Sequence, residues 1–227
     1  RTDEPRVVRE MGEQAQLDLR VVRRHHPPAV SRNEAAPDIL SQLAAGGIHL
    51  SVITACARSG ERREEQEAIV SSACGVVLVI SLGITLLAGL GAGLCGRWLD
   101  SPGVTTGLLC LLPGLPCFAL NKTLLAFHNG CRRMRAMALL TGLRGVLLVA
   151  FLWWLVRRGV PGPRLALLLA LSEAALLAVV LAYSLAHVRP RWSSRVREWI
   201  PRHLGFGLRA LPGNLLHAYE PIRARAL

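Results

Sequence analysis

The stretch AIVSSACGVVLVISLGITLLAGLGAGLCG, Ala68 to Gly96, holds 29 residues without a charge and is bounded by Glu67 and Arg97. A hydrocarbon core of about 30 Å is crossed by roughly 20 apolar residues as helix, so this run spans with room for tilt. Inside lipid every backbone donor and acceptor must be satisfied within the segment, which for a single apolar run leaves helix alone. The expected fold class is all-α, a polytopic membrane helix bundle.

The flanking sequence repeats the theme. Ile39 to Ala57 is free of Asp, Glu, Lys and Arg and long enough to span, though Gly46, Gly47 and His49 weaken it. A polar connection, Arg58 to Glu67, joins it to the long run. After the turn at Arg97 to Pro102 comes an apolar stretch containing Pro113 and Pro116, read as a kinked span over 103–129 because neighbouring helices re-satisfy the freed carbonyls. Further spans are expected at 136–156, interrupted by Arg144, and at 165–188, interrupted by Glu173. The basic stretch 189–202 reads as an interfacial connector, since Trp192, Val196, Trp199 and Ile200 share one helical face among arginines. Residues 203–227 read as the opening of a further span, giving about five complete transmembrane helices plus the start of another. Residues 1–37 are polar, with seven arginines and no apolar run able to cross. They read as an atypical N-terminus lacking an expected first helix.

Composition narrows the class. Hydrophobic residues make up 52% and aromatics only 5%, and the net charge of +12 is dispersed in short clusters between apolar runs. That is not the aromatic-interleaved basic face of a nucleic-acid binder, so nucleic acid is excluded as a partner. The inter-helix connections set the orientation. Connections one, three and five carry twelve basic residues against four on the opposite side, which places them in the cytoplasm. Trp98, Trp153 and Trp154 then form an outer aromatic belt, and Trp192 and Trp199 an inner one.

Charges inside spans cost about 2.5–3.5 kcal/mol each on an isolated helix and call for a partner or a wet cavity. Arg144 and Glu173 lie at depths differing by about 6 Å, a gap an arginine side chain closes. Two readings stand for them: an interhelical ion pair that serves packing, or residues lining a cavity. Asn121 and Lys122, flanked by apolar residues on both sides, belong to the same question. Arg132, Arg133 and Arg135 would attract phosphate-bearing headgroups at the cytoplasmic mouth, or simply decorate a positive-inside loop. Five of the six cysteines read as small buried hydrophobes, and Cys131, beside Arg132, as a loop thiol. No glycine-rich phosphate loop, HExxH, GxSxG, carboxylate cluster or metal-ligand spacing occurs, so no enzyme, metal or cofactor is expected.

At LNKTLLAFHNGCRRMRAMALLTGLRGVLLV, Leu120 to Val149, the chain resembles the polysaccharide-flippase branch of the multidrug/oligosaccharidyl-lipid/polysaccharide exporter superfamily. The likeness is an Asn-Lys on one helix, Asn-Gly before a basic turn, Arg-Met, then an arginine inside the next helix. AAGGIHLSVITACARSG (Ala44 to Gly60) and HLGFGLRALPGNLL (His203 to Leu216) resemble other helices of that family. The resemblance implies a partial first bundle of an exporter fold in a bacterial inner membrane, moving undecaprenyl-diphosphate-linked oligosaccharide from inner to outer leaflet. It also implies a cationic cavity lined by Arg144, Lys122 and Arg209, with membrane lipids and polysaccharide-assembly proteins as neighbours. Lacking a first helix and a second bundle, the chain would be inactive alone. The alternatives are an ion-coupled small-molecule exporter, which wants acidic residues that the spans lack apart from Glu173, and a non-transporting scaffold or decayed gene product.

Overall fold

The computed structural model describes residues 47–60, 62–188 and 194–223. The described residues fold into seven α-helices and one 3-10 turn, with no strand among them. Helix α1 is Ile48–Ser59, α2 Arg63–Trp98, α3 Pro102–Leu111, α4 Gly114–Gly130 and α5 Met134–Arg157. The 3-10 turn Gly162–Ala166 leads into α6, Leu167–His187, and α7 is Ser194–Arg223.

The long apolar run forms most of α2, whose 36 residues measure about 54 Å at helical rise. Three helical segments are long and apolar enough to cross a membrane: Arg63–Trp98, Met134–Arg157 and Gly162–His187. The pair α3 and α4 makes a fourth if taken as one span bent by 42°. The bend falls at Leu112 and Pro113, where proline cannot donate to the helix ladder. Of the expected span 39–57, α1 holds only the last ten positions, and 39–46 lie outside the described residues, as do 1–37. The described residues therefore hold three candidate spans, or four with the bent pair, where the sequence led us to expect about five.

Exposure separates a lipid face from a packed face. On α2, Val79, Leu82, Leu86, Leu87, Leu90 and Leu94 stand open, from 51% at Leu82 to 73% at Leu90. Leu139, Val146, Val149 and Trp153 do the same on α5. Apolar surface of this extent suits hydrocarbon and would not persist in water. The core lies between α1, the first half of α2, α4 and α6, where Ile48, Val52, Ile69, Ala73, Val77, Phe127, Leu176 and Val180 are buried. Helix α4 is its centre, packing on α1, α2, α5 and α6.

Three helix ends share one closure. After α2, α4 and α5, a residue with positive φ turns the chain, and paired hydrogen bonds cap the last carbonyls. Gly159 takes that position after α5, but Asp100 (φ 46°) and Arg132 (φ 57°) take it after α2 and α4. At Arg132 the bonds run from Arg133 N–H to the His128 carbonyl and from Arg132 N–H to the Asn129 carbonyl, both 2.9 Å.

Helix α7 runs unbroken across the boundary expected at 202–203. On it Val196 and His203 are fully buried, and α7 packs on α2 and α1. Buried His203 Nδ1 lies 2.9 Å from the Ser51 hydroxyl, and the Trp199 ring stacks at 5.7 Å from the His203 ring. Gly47 sits at φ +69°, and a Cβ there would come within 3.2 Å of the Gly207 carbonyl, so α1 starts where only glycine lets α7 approach. Trp192 lies outside the described residues.

Candidate functional site

Helix periodicity sets the intramembrane cluster. On α5, Leu140 and Leu155 are buried and Leu147 packs against the core. Arg144 falls on the same stripe at spacings of four, three and eight, opposite the lipid-facing Leu139, Val146 and Val149. The guanidinium therefore turns toward the bundle. Its Nη2 lies 2.5 Å from Glu173 Oε1 on α6, an ion pair by distance without hydrogen-bond alignment.

Asn121 completes the arrangement from α4. Its Nδ2 donates to both the Glu173 backbone carbonyl and Glu173 Oε2, each at 2.9 Å. The carboxylate is thus met by a guanidinium and an amide while 3% exposed, and the Arg144 side chain remains 34% open. The ring of Phe118 joins the group, 4.6 Å from the Arg144 guanidinium and 6.0 Å from Lys122 Nζ. Because α4 continues to Gly130, Lys122 lies mid-helix and not at its end. Asn121 Oδ1 is buried without a hydrogen-bond partner.

Four of the sequence candidates, Arg144, Glu173, Asn121 and Lys122, are thus gathered around Phe118. Arg209 is not among them, because it is exposed on α7, which packs on α1 and α2. About two turns further along α4, His128 Nε2 lies 2.9 Å from the Ser184 hydroxyl, which itself donates to the Val180 carbonyl at 2.7 Å. Since that hydroxyl proton is committed, the imidazole donates and Nε2 carries its proton. This buried polar link between α4 and α6 has no signature in the sequence beyond a histidine within an apolar helix.

A second constellation lies at the end of the bundle where connections one and three meet the end of α6. A cavity of about 790 Å³ opens there between Cys56, Ala57, Gly60, Arg63, Gln66, Gly130, Cys131, Arg132, Arg133, Ala186 and His187. Among the described residues no carboxylate lines it, whereas Arg63, Arg132 and Arg133 do. Arg135, expected beside them, is exposed and is not part of the lining. Neither do Arg144, Lys122, Asn121 or Glu173 line this cavity, which is separate from the intramembrane cluster. Arg63, Gln66 and His187 escape a sequence reading because three chain segments bring them together, and only the alternation of the spans hints that they share a side.

The Cys131 thiol is held below its usual pKa, chiefly by a hydrogen bond from the Cys56 side chain and further by the nearby Arg133 charge, against a smaller opposing effect of burial. All six cysteines are free. Among the described residues no three His, Cys, Asp or Glu side chains come together to hold a metal ion.

Apolar spans around an inward-turned ion pair define the class: a polytopic helical membrane protein. Comparison with known protein families, curated proteins and solved structures returns no match, so the class is as far as likeness to other chains extends.

Proposed function

We propose that this protein is a membrane transporter for an anionic lipid-linked sugar, undecaprenyl-diphosphate-linked oligosaccharide, moved from the inner to the outer leaflet of a bacterial plasma membrane. The observation that carries the reading is the asymmetry of the intramembrane pair: the carboxylate is sealed while the Arg144 side chain stays one-third open. A charge kept inside a span at such expense is the default mark of a ligand pathway, and the accessible member here is the cation. Guanidinium groups meet phosphate oxygens in a bidentate fork, which suits a diphosphate. The motif order around Asn121, Lys122 and Arg144 supports the flippase branch over other exporters. An ion-coupled exporter would need a carboxylate able to take up its ion, and Glu173 is already engaged by Arg144 and Asn121.

A packing-only ion pair is the rival reading, favoured by how completely Glu173 is matched. Binding separates the two. The chain in neutral-detergent micelles is titrated with a fluorescent polyprenyl-diphosphate saccharide, using wild type, Arg144→Gln and Glu173→Gln. Loss of one charge-assisted contact of about 1.5–3 kcal/mol weakens binding roughly 10- to 100-fold in Arg144→Gln. Unchanged affinity in Arg144→Gln, alongside a lowered melting temperature, would establish the packing role and refute the transport reading.

A further inference from the structure

We propose that the cavity between α1, the start of α2, the α4–α5 turn and the end of α6 is a phosphate-binding site, independent of the intramembrane cluster. Its walls come from three separate chain segments, yet among the described residues every charged one on them is an arginine. A volume of about 790 Å³ is far more than one water molecule needs and holds a phosphate ester with part of its substituent.

Arginines at the cytoplasmic ends of helices often do no more than cap free carbonyls, and one here does so: Arg63 Nη2 donates to the His187 carbonyl at 2.8 Å, with its Nε 3.9 Å from Glu67. Gln66 Nε2 is likewise used on the Gly60 carbonyl at 2.6 Å. Arg133 differs. Its Nη1 is buried and has no hydrogen-bond partner, in a cavity wall whose described residues include no acid. A buried guanidinium donor left unmatched is costly, and an anion in the cavity would match it.

The backbone supports the same conclusion. Arg132 holds the left-handed position of the turn, where glycine would be relaxed and an arginine is strained. Non-glycine residues held in that region cluster at ligand-binding and active sites, which agrees with a binding role for Arg132. The two arginines enter the cavity wall on consecutive residues, with Arg63 from the next segment, so one ligand with several phosphate oxygens can be met by more than one of them. The chemistry recognised is that of a phosphate or diphosphate ester, whether free in solution or in the headgroup of an anionic lipid.

Cys131 lines the same cavity and serves as an internal reporter. Its alkylation by N-ethylmaleimide is followed by mass spectrometry in neutral-detergent micelles with added inorganic phosphate or pyrophosphate. A parallel series uses vesicles of phosphatidylcholine with or without phosphatidylglycerol. Occupancy slows the reaction at least about 5-fold: protection by pyrophosphate identifies a soluble anion, and protection only by phosphatidylglycerol vesicles identifies a headgroup. Arg133→Gln and Arg132→Gln abolish the protection, whereas Arg135→Gln and Arg144→Gln retain it. The last variant distinguishes failure of this site from failure of the transport reading. Arg132→Gly raises the melting temperature by relieving the turn while losing protection, an outcome that misfolding cannot mimic. No protection in either series, or protection equal in wild type and both cavity-arginine variants, would overturn the proposal.

Discussion

Removing Arg144 damages the protein more than neutralising Glu173, although both changes break the same pair. Two unit charges about 4 Å apart at an effective dielectric of about 20 attract by about 4 kcal/mol, and the one-third exposure of the arginine screens part of that. In Arg144→Met the carboxylate of Glu173, 3% exposed, keeps only the Asn121 amide and remains buried without a counter-charge. Breaking a buried pair from this side costs about 3–5 kcal/mol. In Glu173→Gln the new amide oxygen still accepts from Asn121 Nδ2, and the partly open Arg144 swings toward polar surroundings. That loss is about 1–2 kcal/mol. Denaturant unfolding in micelles, followed by circular dichroism at neutral pH, measures both. The double variant Arg144→Met/Glu173→Gln should fall near Glu173→Gln alone, because the uncompensated carboxylate is then gone. Equal costs for the two single variants, or additive costs in the double variant, would refute the claim that the buried carboxylate is the vulnerable partner.

Two further outcomes follow from local geometry. Gly130→Ala places a Cβ 2.8 Å from the Cys56 Cβ and 3.0 Å from the Ile53 carbonyl, so α1 and α4 are forced apart at about 1–3 kcal/mol, whereas Gly142→Ala meets nothing within 4 Å and is neutral or better; paired thermal melts check the contrast. In the absence of anions, Cys131 alkylates at lower pH than an ordinary thiol, and Cys56→Ala, by removing the hydrogen bond that stabilises the thiolate, shifts its pH–rate curve upward; an unmoved curve would show that Cys56 has no such role.

Much of the membrane architecture could be read from single residues. The uncharged run from Ala68 needs no partner to declare a spanning helix, and the proline at 113 announces the bend between α3 and α4 that the structure sets at 42°. Loop charge predicted that connections one and three share a side, and Arg63, Arg132 and Arg133 do meet in one cavity wall. Depth counting brought Arg144 and Glu173 near each other because rise per residue is fixed in a helix. Amphipathic spacing reports that a face is buried and is silent about whether lipid or protein covers it, and on α7 the helices α1 and α2 cover it.

Hydropathy was enough to assign helices and candidate membrane spans, since each rests on properties of a segment taken by itself. Which polar atoms meet depended on how the helices rotate and pack. Asn121 reaching two atoms of Glu173, Phe118 lying under two cations, and a donor of Arg133 sealed without a partner in a cavity wall are relations that packing decides. Composition and periodicity carry no record of such relations, because side-chain partners are chosen by the packing of one helix face on another.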